Sequence, residues 1–363
     1  MSDELARLRD EMRALDREIL ALSARRLDTA RRIGDLKRAQ GQPIRNYAVE
    51  AEALRLAREA ARDAGLREAF AEDVVKLEIR ESLRAQEKDR ASRARPAQGS
   101  RRALVVGGSG AMGRWFVDFL EGQGFAVAIA DPREGPPGRP RTAEIPAGRL
   151  PHDLVLLATP PSATPGALAA LAGRTDGVVA DIASLKAPHE KELRALAASG
   201  ARVTSLHPMW GPSADLLASR NLVVCDCGSP EANAFAKKLF EDTAARIVEM
   251  PLAAHDAFMG SVLGLPHATS LVFGNALARL GPSHADLAGL GGPTFEKQVA
   301  VAREVASESR ALYYEIQRLN PHTPRVLAGL RASLEEMEAA LADRARFAAY
   351  MDRARAWFEG ETP

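Results

Sequence analysis

Residues 103–116 read ALVVGGSGAMGRWF, with three glycines spaced Gly108-x-Gly110-x-x-Gly113 between an apolar run and a helix-like segment. A strand that enters a glycine turn and then a helix is the opening of a dinucleotide-binding α/β unit. The glycines permit a tight turn and close backbone approach to a pyrophosphate, and the helix N-terminus supplies N–H groups and a positive dipole end. The next apolar run, FAVAIAD, ends in Asp131, 18 residues after Gly113. A carboxylate there can accept from both ribose hydroxyls and repel a 2′-phosphate, which favours NAD over NADP; Arg133 is the nearby group that could receive such a phosphate. Gly108, Gly110, Met112, Gly113 and Asp131 are the candidate cofactor residues. Thr159 and Pro160 join them, because they end a later strand and belong at the carboxyl edge, where such sheets bind ligands.

The strand-like pattern continues through DLVLLATP, GVVADIA and ARVTSLHP, mostly with helix-like segments between, and NLVVCD and ARIVEM are further strand candidates. Alternating strands and helices predict a parallel α/β sheet. On either side the pattern is helical. Leu5, Leu8, Met12, Leu15, Ile19 and Leu22 recur at alternating steps of three and four, and the stripe runs on through Ile33 and Leu36. That predicts one helix of about 35 residues, stopped by Gly41-Gln42-Pro43, with further helices over 46–63 and 66–90. Three helices with one very long arm do not close a good core, so a homodimer that shares its helices is expected. From 251 onward, 252–280, 294–319 and 324–359 are helical regions. The segment KDRASRARPAQGSRR, 88–102, is basic, small-residue-rich and broken by proline, and reads as a solvated tether. The expected organisation is multi-domain. An all-α module spans 1–90, a linker 91–102, an α/β Rossmann domain 103–250, and an all-α dimerisation domain 251–363.

The 363 residues leave room for two or three domains at about 100–200 residues each. A net charge of +1 gives no global case for nucleic acid or an anionic membrane. No run of about 18 apolar residues is present, so no membrane span is expected. The N-terminus, MSDELARLRDEMRALD, is charged and lacks the apolar core of a signal peptide. A cytoplasmic protein is expected. Cys225 and Cys227 lie two apart in an apolar run, which predicts buried thiols rather than a disulfide; no metal site is expected.

Of seven histidines, His152, His189, His284 and His322 stand in loop-like or polar settings with no special role indicated. His207 differs: it ends the run ARVTSL and is followed by Pro208 and Gly211-Pro212. A strand end before a rigid turn presents a side chain at the carboxyl edge, and imidazole suits a general base.

GGSGAMG, DIASLK, LHPMWGP and HDAFMGSVLGLPH, in this order and spacing, resemble the prephenate dehydrogenase family over about 101–320. The resemblance implies that His207 accepts a hydrogen bond from the substrate's ring hydroxyl, with Ser184 supporting it and Lys186 close by. It implies that His267 contacts the side-chain end of the substrate, with His255 opening the same segment. It also implies a helical dimerisation domain after the nucleotide domain. One position departs: Glu296 stands where the family carries an arginine for the ring carboxylate. A carboxylate cannot clamp a carboxylate. Lys297 and Arg303 are the candidate substitutes, and an altered substrate is the alternative.

LRDEMRALD, ARRLDTA, IGDLK, QPIRN and ESLRAQ resemble the all-helical chorismate mutase class over about 5–90. The positions retained are Arg9, Arg26, Lys37, Glu50, Ser82 and Gln86; Asn46 and Val49 replace an acidic residue and an arginine. Spacing adds its own constraint. Arg26 and Lys37 are three turns apart on one helix face, whereas Arg9 lies roughly 26 Å from Arg26 along the axis and must serve a partner chain's ligand. Ser82 and Gln86, four apart, share a face. Chorismate rearrangement is pericyclic, so cations for two carboxylates and donors to the ether oxygen are what a site must provide.

Together the resemblances imply a bifunctional enzyme that turns chorismate into prephenate and then, with NAD, into 4-hydroxyphenylpyruvate. The departures leave two alternatives open: the same steps on the 4-amino-4-deoxy analogues, or a dehydrogenase whose helical module only binds an effector or dimerises.

Overall fold

The computed structural model describes residues 2–40, 47–93, 101–135, 138–214, 217, 220–241, 243 and 245–360. The helix stop at 41–43, Asn46, and tether residues 94–100 lie outside the described residues. Two compact units result. One comprises Met1–Thr159, Gly166–Ala183 and Glu192–Met250; the other comprises Pro160–Pro165, Ser184–Lys191 and Pro251–Pro363.

The first unit begins with α1 (Ser2–Ala39), α2 (Tyr47–Asp63) and α3 (Glu68–Arg93). α2 and α3 are joined by a left-handed glycine, Gly65 at φ 67°. Leu66 N–H bonds to Ala61 O and Gly65 N–H to Arg62 O, the paired bonds of a Schellman stop. α3 packs against both α1 and α2, and Ala57, Ala61, Leu83 and Ala85 are buried between them. The stripe Leu5, Leu8, Met12, Leu15, Ile19 and Leu22 stays 48–60% exposed, so a single chain does not cover it. A contiguous apolar face of that kind marks an association surface.

The same unit holds an eight-stranded sheet of order β3-β2-β1-β4-β5-β6-β7-β8. The strands are β1 (Arg102–Val106), β2 (Ala126–Ala130), β3 (Arg141–Thr142), β4 (Leu154–Leu157), β5 (Val178–Asp181), β6 (Val203–Pro208), β7 (Asn221–Asp226) and β8 (Arg246–Pro251). Helices α4 (Ala111–Gly122), α5 (Thr164–Ala169), α6 (Glu190–Ala198) and α7 (Pro230–Phe240) alternate with them. β1 to β6 pair in parallel, but β7 runs antiparallel to β6, with Val223 opposite His207. The sheet is therefore mixed rather than purely parallel. Strand order reverses between β1 and β4, which opens a ligand crevice at the carboxyl ends. Phe116, Val117 and Leu120 of α4 pack on Ala103, Val105 and Ile129, and this core dictates the apolar runs of β1 and β2. Cys225 and Cys227 are buried free thiols.

The second unit is helical: α8 (His255–Met259), a π-turn at Gly260–Gly264, α9 (Leu265–Leu280), α10 (His284–Ala288), α11 (Pro293–Ser307), α12 (Arg310–Leu319), α13 (Thr323–Ala340) and α14 (Arg344–Phe358). Ser283 and Asp286 form a capping box that starts α10, and Ser309 and Asp343 cap α12 and α14. One expectation needs correction. His189 is fully buried within a short 3₁₀ turn, Ala187–His189, rather than in a polar loop. Among the described residues, Leu252–Leu280 is by length and composition alone long and apolar enough to cross a membrane. That segment carries buried His255 and Asp256, is interrupted by the π-turn, and packs on α11 and α13.

Candidate functional site

The glycine loop is a cradle in which side chains do not fit. A Cβ on Gly113 would lie 2.1 Å from Gly107 O, and one on Gly108 would lie 2.9 Å from the Ile129 side chain. Gly107, which the three-glycine spacing passes over, is as constrained: its φ is +83° and its Cβ would meet Ala158 O at 2.5 Å. The doubled glycine was the available signal. A loop of glycines and one serine, at a helix N-terminus beside the switch point, fits a pyrophosphate. Met112 is partly buried against the sheet core, so packing accounts for it. Thr159 is half-buried just beyond β4. Pro160 is exposed, and its carbonyl accepts from Thr164 Oγ1.

Asp131 directly follows β2, with only 2% of its surface exposed. Its carboxylate accepts from Ser109 N–H at 3.0 Å and Arg133 N–H at 2.9 Å, and the Arg133 guanidinium lies 3.3 Å from each oxygen. Burial works to raise the carboxyl pKa, but these bonds outweigh it and hold Asp131 below the usual carboxylate range. An ionised acceptor at a strand end suits a ribose diol.

The dehydrogenase residues fall in both units. In the first, His207 sits in β6 with 4% of its surface exposed, held by the register with β7 and followed by Pro208. In the second, the Ser184–Lys191 loop is tied to α8 through Asp256. That carboxylate accepts from the main-chain N–H groups of Lys186 at 2.9 Å and Ala187 at 2.7 Å, and Nδ1 of His255 lies 2.7 Å from it. Burial tends to raise the Asp256 pKa, and the bonds from His255, Ala187 and Lys186 bring it below the usual range. Sequence reading missed Asp256 as the residue that orients this loop; its place beside His255 was the signal. Ser184 is partly buried and Lys186 almost wholly so.

His267, in the first turn of α9, stacks on Tyr313 with centroids 4.3 Å apart. Its Nδ1 is buried without a partner among the described residues, and burial lowers its pKa. The preceding π-turn leaves Gly264 O to accept from the Gln317 amide at 2.9 Å. Glu296 is exposed in the first turn of α11, where its carboxylate is favoured by the helix dipole, and Lys297 is exposed next to it. Arg303 bonds to His284 at 2.7 Å.

In the helical module, α1 and α3 bring together three of the expected residues. Arg26 Nη1 donates to Ser82 Oγ at 3.0 Å, and Gln86 Nε2 donates to Ala30 O at 2.7 Å. Gln86 Oε1 is buried without a partner among the described residues. Lys37 is half-buried further along α1. Two residues were not anticipated. Glu78 lies 3.6 Å from Arg26 and accepts from Ser23 Oγ. Gly34 makes room for Gln86, because a Cβ there would lie 2.9 Å from Gln86 Cγ. A glycine in a helix of strong formers, costing about 1 kcal/mol, was the sign of a close approach. Glu50 is half-buried in the first turn of α2, Val49 is 62% exposed, and Arg9 lies exposed near the start of α1.

Comparison with known proteins agrees with both halves. The chorismate mutase type II family matches residues 8–87, and the prephenate dehydrogenase nucleotide-binding domain matches residues 144–249. The T-protein of Enterobacter agglomerans is 29% identical over 364 residues, spanning 99% of this chain and 94% of that protein. A 4-amino-4-deoxyprephenate dehydrogenase of Streptomyces pristinaespiralis is 31% identical over 263 residues, spanning 68% of this chain and 88% of that protein. Among solved structures, the prephenate dehydrogenase of A. aeolicus in complex with hydroxyphenyl propionate and NAD+ shares the fold. Its TM-score is 0.59 and its identity 19%, covering 72% of this chain and 98% of that one.

Proposed function

Because the chain belongs to the prephenate dehydrogenase family and carries a chorismate mutase type II domain ahead of the nucleotide-binding sheet, we propose that it rearranges chorismate to prephenate and then oxidatively decarboxylates prephenate to 4-hydroxyphenylpyruvate. The carrying observation is that both family matches occur in one chain, in an order that aligns with a T-protein over 99% of its length.

NAD, when bound, supplies the hydride acceptor. Gly108, Gly110 and Gly113 admit its pyrophosphate and Asp131 its ribose. His207 takes the proton of the ring hydroxyl as hydride leaves the ring carbon. CO2 departs from the ring carboxylate, its bonding electrons pass through the ring to the carbonyl oxygen, and the resulting phenolate takes the proton back from His207, so orientation and a base are the main demands on the protein. Ser184 supports His207; Lys186, His267 and Lys297 are assigned to the substrate. In the mutase half, Arg26 and Lys37 of one chain and Arg9 of a partner face the carboxylates. Gln86 stands at the ether oxygen, where charge grows in the transition state, with Ser82 and Glu50 alongside. The enzyme acts as a cytoplasmic homodimer.

A second reading is the 4-amino-4-deoxy series. It is favoured by the Streptomyces relative and by Val49 and Glu296 at substrate positions. Steady-state kinetics of the full chain on prephenate and on 4-amino-4-deoxyprephenate, at saturating NAD, decide between them. The first reading expects the larger kcat/KM with prephenate, and the opposite ratio assigns the amino series.

A further inference from the structure

We propose that Arg133 is a nucleotide-selectivity residue: its guanidinium closes over Asp131, is displaced by the ribose diol of NAD, and can turn to receive a 2′-phosphate. The preference for NAD over NADP is then graded rather than absolute. This rests on the NAD site described above.

The two parts of Arg133 behave differently. Its main chain is pinned: its N–H donates to Asp131, while its carbonyl accepts from Arg141 Nη1 at 2.9 Å and Ser109 Oγ at 3.2 Å. Its side chain is 67% exposed and reaches Asp131 only through two long bonds of 3.3 Å. The same guanidinium extends to the glycine loop, since a Cβ on Gly110 would lie 3.3 Å from its Nη2. It therefore spans the gap between the ribose acceptor and the pyrophosphate cradle, across which a ribose must enter. Asp131, 2% exposed, cannot meet two hydroxyls until that group moves. Its displacement is offset because the two ribose hydroxyls donate to the carboxylate in its place, and its own head stays in solvent. The main-chain donors from Ser109 and Arg133 stay and keep the carboxylate aimed.

Once displaced, Arg133 remains tethered within reach of the 2′ position. Arg141 adds a second cation there, since its Nη1 also donates to Asp131 O at 2.7 Å. A guanidinium matches a phosphate in charge and in bidentate geometry. Asp131 repels the 2′-phosphate and Arg133 offsets that repulsion.

The test is equilibrium binding of NADH and NADPH to the full chain, followed by nucleotide fluorescence. The wild type is expected to bind both, NADH more tightly. Arg133→Ala should weaken NADPH by about tenfold or more, while NADH tightens because its competitor is gone. Asp131→Asn should shift the preference toward NADPH, and adding Arg133→Ala to it should remove that gain. Arg133→Gln, which keeps the stem at an exposed position, guards against a packing effect, with circular dichroism as the folding control. An NADPH to NADH affinity ratio unchanged in both Arg133 variants would overturn the proposal. Failure of the wild type to bind NADH would instead overturn the cofactor site, and the proposal with it.

Discussion

At Gly113 there is no room for a side chain, because an added Cβ would sit 2.1 Å from the Gly107 carbonyl. Gly113→Ala should therefore push the loop away from its strand. NADH binding should fall by about tenfold or more, and stability by about 1–3 kcal/mol, read by fluorescence titration and urea melts. His267 carries a pH prediction. Burial lowers its pKa below the ordinary 6.5, so the unfolded chain binds the proton more readily than the folded one. Its contribution to stability is complete above pH 6.5 and is lost as pH falls from 6.5 through the folded value. Asp256 adds loss in the same direction at lower pH, below its ordinary 3.8. Urea melts at about pH 7 and about pH 5.5 should show the wild type losing stability, with a smaller loss in His267→Gln. An equal loss in both would remove His267 as the source. Gly108, Gly113, Asp131 and His207 were legible because strand-end and turn positions are written locally in the chain. The Arg133–Asp131 contact and the grip of Asp256 on the Lys186 loop were not, since each depends on tertiary approach.

The elements were legible to differing degrees. α1 runs Ser2–Ala39, as its apolar stripe implied, because a period near 3.5 sustained over many turns has no strand reading. The direction of β7 was hidden: an apolar run such as NLVVCD looks the same parallel or antiparallel. The π-turn at Gly260–Gly264 was equally hidden within helix-forming residues. It matters for the site. On a regular helix His255 and His267, twelve positions apart, would differ by about 120° around the axis, and one inserted residue changes that by about 100°. Deleting Val262, which is 51% exposed, would leave the two histidines eleven apart on a regular helix, about 20° around the axis, close to the angle the inserted residue produces. Prephenate turnover should therefore persist in that deletion; its loss would show that the π-turn itself, and not the facing of the two histidines, is what the site requires. In the helical module Gly34→Ala should improve helix propensity by about 1 kcal/mol yet displace Gln86. Mutase kcat should drop with dehydrogenase kcat unchanged, and unaltered mutase kinetics would take Gln86 out of the site.

For the whole molecule, the exposed stripe on α1 and the distance from Arg9 to Arg26 carry the same implication: a mutase site is completed by a second chain. Arg9→Ala and Arg26→Ala should each be inactive as mutases. Mixing them under subunit exchange should restore part of the activity, because one site in a mixed dimer then holds both arginines. No recovery, with exchange demonstrated, would place both arginines in one chain or neither in the site. The pairing of the two modules was legible from their motifs, whereas the choice between hydroxy and amino substrates turns on Glu296 and Val49, whose replacements local sequence does not specify. The central claim is that one chain performs two consecutive steps. The most direct measurement gives the purified full-length protein chorismate and NAD alone and follows NADH together with the keto-acid product. The account predicts NADH and 4-hydroxyphenylpyruvate in equal amounts, with prephenate as the transient intermediate. NADH formation from added prephenate but none from chorismate would contradict it.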